Sequence, residues 1–311
     1  MSRFARNACV WACMMCVASV AMGQEIIVPE EAAKDPDFAF QGEFVGNGTW
    51  PGGKSGPIGA HVIAQSGGKF KVVIYQGGLP GDGWKRDDNR VFMDGVLAGG
   101  VVNLKGKEIA TGKIENGSLT AAGGIALKHT VRKSPTLGQK PPKGAVVLFD
   151  GTNIDHFPGA TFTDMKTLQA GSKLKGSYDA VKIHIEFRLS WKTKARGQGR
   201  SNSGVFIGGI PEIQVLDSFG LEGAKNECGA FYNRRQPDVN MCLPPMQWQT
   251  YDVEFTKPGE DSNVLCTVRH NGVVIHKDYN TGKKTFQKRS LSFQAHGNRV
   301  QYNNVWMVER D

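Results

Sequence analysis

From Val181 to Leu189 the chain alternates without a break: Val181, Ile183, Ile185, Phe187 and Leu189 fall on one parity, Lys182, His184, Glu186 and Arg188 on the other. Period two marks a strand with one face against a core, and no stretch offers a comparably long 3.6-residue pattern. Short apolar runs separated by Gly-rich turns repeat this pattern from end to end, with 40 glycines among 311 residues. The chain is therefore expected to be all-β.

Between Phe38 and Val131 seven runs read as strands: 40–45, 58–64, 69–75, 90–97, 101–104, 108–114 and 118–127. That density predicts a small barrel or sandwich over residues 38–133. Ser134 to Gly144 holds three prolines and reads as a stiff, extended linker. Beyond it, residues 145–311 carry runs at 145–151, 181–189, 203–207, 212–216, 229–232, 247–255, 264–270, 273–276, 291–295 and 300–308, with Asn271-Gly272 as a tight-hairpin signal. These predict a two-sheet sandwich. Residues 24–37 read as a flexible lead or one short helix. Trp84, at the end of a Gly-rich loop, either stacks on a sugar ring or anchors its loop.

Arg3 and Arg6 followed by the apolar run Ala8 to Met22 and the small residues Ala21 and Gly23 predict a secretory leader over residues 1–23. The mature chain is then periplasmic or extracellular, with no later segment near the roughly 20 apolar residues of a membrane span. Its 36 Lys and Arg against 29 acidic residues leave about +7. The basic residues are dispersed, and the dense groups at 192–200 and 283–289 lack interleaved aromatics, which argues against nucleic acid as a partner. Gly197-Gln198-Gly199-Arg200 lacks the strand, Lys and helix of a phosphate loop. Oligosaccharide or polysaccharide is the expected partner. Three cysteines survive leader removal, and a Cys228–Cys242 disulfide is expected, with Cys266 a buried thiol; three free thiols is the alternative.

Polar residues gather beside strands that should be central: Asn202, Ser203, Glu212, Gln214, Asp217, Tyr232, Gln294, His296 and Asn304. A face with so many of them is not a dry core. Glu212 and Gln214 share one face of a strand, and Asp217 takes the other.

Val147 to Gly151, Asn202 to Phe206, Glu212 to Asp217, Gly229 to Tyr232, Trp248 to Tyr251 and Phe293 to Gly297, in that order, resemble the motifs of the 3-keto-disaccharide hydrolase-like family over residues 145–311. That family is similar to concanavalin-like lectins and glucanases, which implies a β-jelly roll with a sugar-sized groove. The chain departs from the pattern at Thr152 to Phe157 and at Asn303-Asn304, where the family usually has Arg-Asn.

The resemblance implies hydrolysis of a 3-keto-glycoside. A ketone at C3 acidifies the C2 proton, so the glycosidic bond breaks by elimination and water then adds. The chemistry needs a base, an enolate stabiliser and an acid. The expected roles are Glu212 as base, Asn202 and Gln214 as orienting donors, and His296 or Tyr232 as acid. Arg188, Trp248, Gln294 and Asn304 are expected to contact substrate. A divalent cation on Glu212, Asp217 or His296 is a further candidate for the stabiliser. Two readings compete: an ordinary glycoside hydrolase, which needs a second carboxylate about 5 to 5.5 Å away, and a lectin-like module that binds glycan without cleaving it.

Overall fold

The computed structural model describes residues 25–310; the expected leader lies outside them. Eight strands close into an up-and-down barrel: β1 (Gly42–Thr49), β2 (Ser55–Ala64), β3 (Lys69–Gln76), β4 (Arg90–Ala98), β5 (Val101–Gly106), β6 (Thr111–Glu115), β7 (Ser118–Ala121) and β8 (Ile125–Thr130). Each pairs with its sequence neighbour, and β8 closes on β1 with Glu43 opposite Thr130. The sequence run 118–127 is two strands, because Gly123 and Gly124 adopt left-handed φ and turn the chain.

Alternation in β2 and β3 serves two cores at once. Ala60, Val62, Phe70, Val72 and Ile74 fill the barrel, whereas Ile63, Val73 and Tyr75 point outward into the core of the second unit. Trp84 joins them there, its indole N–H donating to the Asp88 carbonyl at 3.1 Å, so it anchors its loop and is not free to stack on a sugar. At the same junction His61 lies against Phe219, ring centroids 4.4 Å apart. His61 also bonds Glu43 at 3.1 Å, and Arg132 holds both oxygens of that carboxylate.

The second unit is a sandwich. Its large sheet runs β9 (Val146–Phe149), β17 (Gln301–Glu309), β10 (Ala180–Arg188), β13 (Trp248–Thr256), β14 (Leu265–His270) and β15 (Val273–Asn280), with Leu168–Gln169 added on β17. Its small sheet runs β12 (Ile213–Leu216), β11 (Asn202–Ile207) and β16 (Leu291–Phe293). Between the sheets Ile183, Ile185, Phe187, Tyr251 and Val253 meet Val205, Ile207, Ile213, Val215 and Phe293, all buried. Each such side chain contributes about 1.5–3 kcal/mol by leaving water. Asn271 and Gly272, both at positive φ, make the expected hairpin between β14 and β15. The expected strand at 229–232 is an irregular segment, which still bonds along β12 through Gly229 N–H to Gln214 O and Gln214 N–H to Ala230 O, 2.9 Å each.

Neither connecting segment runs free. The lead carries a four-residue helix, Pro29–Ala32, and its Ile26 exchanges backbone hydrogen bonds with Trp191. The expected linker lies across the outer face of the large sheet: Gly138 N–H donates to Glu186 at 2.6 Å and Thr136 Oγ1 to Asp252 at 2.7 Å. Carboxylates facing away from the sandwich core give the segment its partners, where composition alone predicted a spacer.

Candidate functional site

On β11 and β12 Gly204 stands opposite Gln214, and Asn202 opposite Leu216. Residues directly opposite on paired strands share a face, so Asn202, Gly204, Glu212 and Gln214 lie together on the outer face of the small sheet. Gln294 completes the row across β16, its N–H donating to Gly204 O at 2.8 Å.

Glu212 is half-buried, and its carboxylate occupies the space a side chain at 204 would fill. Burial alone raises its pKa above the ordinary value; no neighbouring charge contributes, as a second close carboxylate would. Tyr232 is tied to the same residue, its N–H donating to Glu212 O at 2.9 Å. Beneath the strand, Tyr251 O–H donates to Gln214 O at 2.7 Å, which fixes the backbone of the row.

Asn202 and Gln214 converge. Asn202 Nδ2 and Gln214 Nε2 both donate to Oε1 of Gln198, at 3.0 and 2.9 Å. The assignment of each amide is set by its other contacts: Asn202 Nδ2 also donates to the Gln198 carbonyl at 2.9 Å, and Gln214 Oε1 accepts from Val215 N–H at 3.1 Å. Asn202 Oδ1 is buried without a hydrogen-bond partner among the described residues. Gln198 is not among the residues expected from sequence; its position between two glycines, four residues before Asn202, is the signal the sequence offers.

The remaining expected residues lie elsewhere. Asp217 is on the opposite parity and buried, paired with Arg200, whose guanidinium also reaches Ala64 O at 3.3 Å. His296 is exposed in the loop after β16, its carbonyl accepting from Asn298 at 3.0 Å. Glu212, Asp217 and His296 therefore do not form a ligand set. Among the described residues no group of three His, Cys, Asp or Glu is arranged to hold a metal ion, and the donors at Glu212 do not fit a divalent cation.

Arg188, Trp248 and Asn304 sit on the far side of the sandwich, on the outer face of the large sheet. Arg188 lies over the Trp248 ring, 4.9 Å from its centroid, and both its Nε and Nη2 donate to Gln301 Oε1. Asn304, at φ +42° on a bulge of β17, donates to Glu186 at 2.8 Å. Glu186 and Asp252 flank His184, at 3.4 and 2.7 Å, beneath the linker segment. Burial opposes the charge on His184, yet these hydrogen bonds carry its pKa above the ordinary value. This cluster is buried structure.

Cys228, Cys242 and Cys266 are all free and buried, so the expected disulfide is absent. The two thiols of the expected pair lie beside one another as neighbours, Cys228 also meeting Tyr251 Oη at 3.3 Å and Cys242 reaching the Leu216 and Leu243 carbonyls at 3.5 Å. Burial pushes Cys266 up to about 12.

The family model of the 3-keto-alpha-glucoside-1,2-lyase-like domain matches residues 144–308. The chain belongs to this family. The lyase-like domain thus coincides with the sandwich, and the barrel stands outside the match. Two crystal structures of a “putative glycosyl hydrolase” from Parabacteroides distasonis ATCC 8503 are similar to it. One is 23% identical with a TM-score of 0.45, covering 54% of this chain and 85% of the other. The second is 17% identical with a TM-score of 0.40, covering 54% and 95%. At these values neither bears on the reaction of the lyase-like domain. No curated protein matches the chain. No helix among the described residues is long and apolar enough to cross a membrane.

Proposed function

We propose that the protein acts on carbohydrate and cleaves 3-keto-glycosides by elimination, with Glu212 as the base. The observation that carries this reading is the half-buried Glu212, its pKa raised by burial, lying over Gly204 one residue pair from two convergent amide donors. A base strengthened by burial and donors for a developing enolate oxygen are what proton abstraction beside a ketone requires.

Glu212 takes the C2 proton, electrons form the C1–C2 double bond, and the C1–O bond breaks. The departing oxygen is protonated by Tyr232, the expected acid, whose backbone N–H is bonded to Glu212 O. Water then adds its hydroxyl at C1 and gives its remaining proton to the Tyr232 phenolate, while Glu212 returns the abstracted proton to C2, which completes hydrolysis and restores both groups. The ordinary retaining mechanism finds no support, since Asp217 is committed to Arg200 on the other face. The reading includes export, which rests on the leader-like first 23 residues.

The test offers the full chain an aryl 3-keto-glucoside and its unoxidised parent. Release of the aryl alcohol from the keto form alone, slowed by deuterium at C2 and lost in Glu212→Gln, is the expected result. Equal release from the parent, or full activity in Glu212→Gln, sinks the proposal. Binding without cleavage of either compound identifies a lectin-like module.

A further inference from the structure

The point where the Asn202 and Gln214 amides meet is occupied by a side-chain carbonyl oxygen, that of Gln198. Two N–H donors aimed at one oxygen are the arrangement that stabilises a carbonyl as negative charge builds on it. On the same Asn202 amide, Oδ1 is buried and has no hydrogen-bond partner among the described residues. A buried acceptor without a donor is costly, and a ligand hydroxyl would relieve it.

We infer that Gln198 is a removable plug in a two-donor hole, and that the hole receives the ketone oxygen of an α-hydroxyketone sugar. The inference rests on the elimination reading and adds to it the subsite for the keto group. A C3 ketone is flanked by hydroxyls at C2 and C4. The ketone oxygen only accepts, which matches the paired Nδ2 and Nε2 donors, and an adjacent hydroxyl supplies the proton that Asn202 Oδ1 lacks. The unoxidised sugar has a hydroxyl at the same place, whose own proton finds two donors facing it and must turn away.

The plug is built to leave. Gln198 sits between Gly197, at φ +52°, and Gly199, and a Cβ at either glycine would meet nothing within 4 Å. Its outer tie is one bond from Nε2 to the Asn226 carbonyl at 2.8 Å. When the side chain swings out, Nε2 and Oε1 enter water while the sugar oxygen takes over both donors. No bond is made or broken covalently, and the exchange leaves the number of bonds to the two amides unchanged.

The test measures binding calorimetrically in the Glu212→Gln background, where the sugar is not consumed, using methyl 3-keto-α-glucoside and methyl α-glucoside. Gln198→Ala vacates the hole and is expected to tighten the keto probe about tenfold, the scale of one net hydrogen bond in a protein. The parent sugar should change less than about twofold on the same scale. Gln214→Met, which removes the donor at similar volume without burying a charge, should abolish the preference for the keto probe, with near-UV circular dichroism showing that the protein still folds. Three other outcomes separate the claims. Cleavage by wild type with unchanged or weaker keto binding in Gln198→Ala overturns the plug and leaves the elimination reading standing. No cleavage by wild type, with the tenfold gain present, overturns elimination and leaves the hole. Neither binding nor cleavage overturns both.

Discussion

Gly204→Ala is a small substitution placed to move the proposed base and little else. Gly204 lies within β11 at ordinary negative φ, so alanine meets no backbone strain, and a strand position loses nothing by exchanging glycine for it. The new Cβ, however, would lie 2.7 Å from Cδ and 2.9 Å from Cγ of Glu212 and overlap Oε1. Ordinary contact begins near 3.4 Å, so the carboxyl carbon must retreat by about 0.7 Å or more. A displacement near 1 Å of a reacting group costs on the order of 10²-fold in rate, or about 2.7 kcal/mol of barrier. The expected result is a fall of that size in kcat/KM on the 3-keto-glucoside, with the melting temperature moved by no more than a few degrees. A second copy of the change in Glu212→Gln should add nothing, because the group it displaces is already disabled. Full activity in Gly204→Ala would refute the placement of the base. So would an equal loss in both backgrounds, which would show that the alanine acts through the sheet.

Two further expectations concern the buried charges. The His184 pKa is raised in the folded protein, so its contribution to stability is complete below about 6.5 and is lost as pH rises through the folded value; urea unfolding at pH 6 and pH 9 should show that decline, and His184→Gln should flatten it. Glu43 is buried, which opposes its charge, yet His61 and Arg132 hold it down to about 2. Its contribution is present above its unfolded pKa and fades as pH falls toward 2, and Arg132→Ala, which strands the carboxylate, should cost about 3–5 kcal/mol by denaturant titration.

The strands were legible because alternation is a local property. Val181 to Leu189 became β10 and its neighbours fell within a residue or two of their expected limits. The pairing of Glu212 with Gln214 on one face was equally local and is present. What sequence did not carry was which sheet a strand joins. Arg188, Trp248 and Asn304 read as members of one site with Glu212, yet they belong to the other sheet and face away, since two residues of like chemistry on different strands give no sign of the core between them. Asp217 showed its parity, but the Arg200 that neutralises it is 17 residues back. Gln198 was hidden by its loop: a residue without periodicity is placed only by what it touches.

The lead and the 134–144 segment are both stitched to the sandwich, at Trp191 and at Glu186, and the barrel lies between them. Its first and last strands are hydrogen-bonded neighbours, Glu43 facing Thr130. The chain thus leaves the barrel beside the point where it entered. The lead, which packs Ala32, Phe38 and Phe40 on the barrel core, and the segment after the barrel thus both run back to the sandwich, whose strands all follow the barrel in the chain. Joining Gln41 to Val131 by a short bridge would remove the barrel without interrupting any strand of the sandwich, while baring Phe219, the ring against which His61 rests.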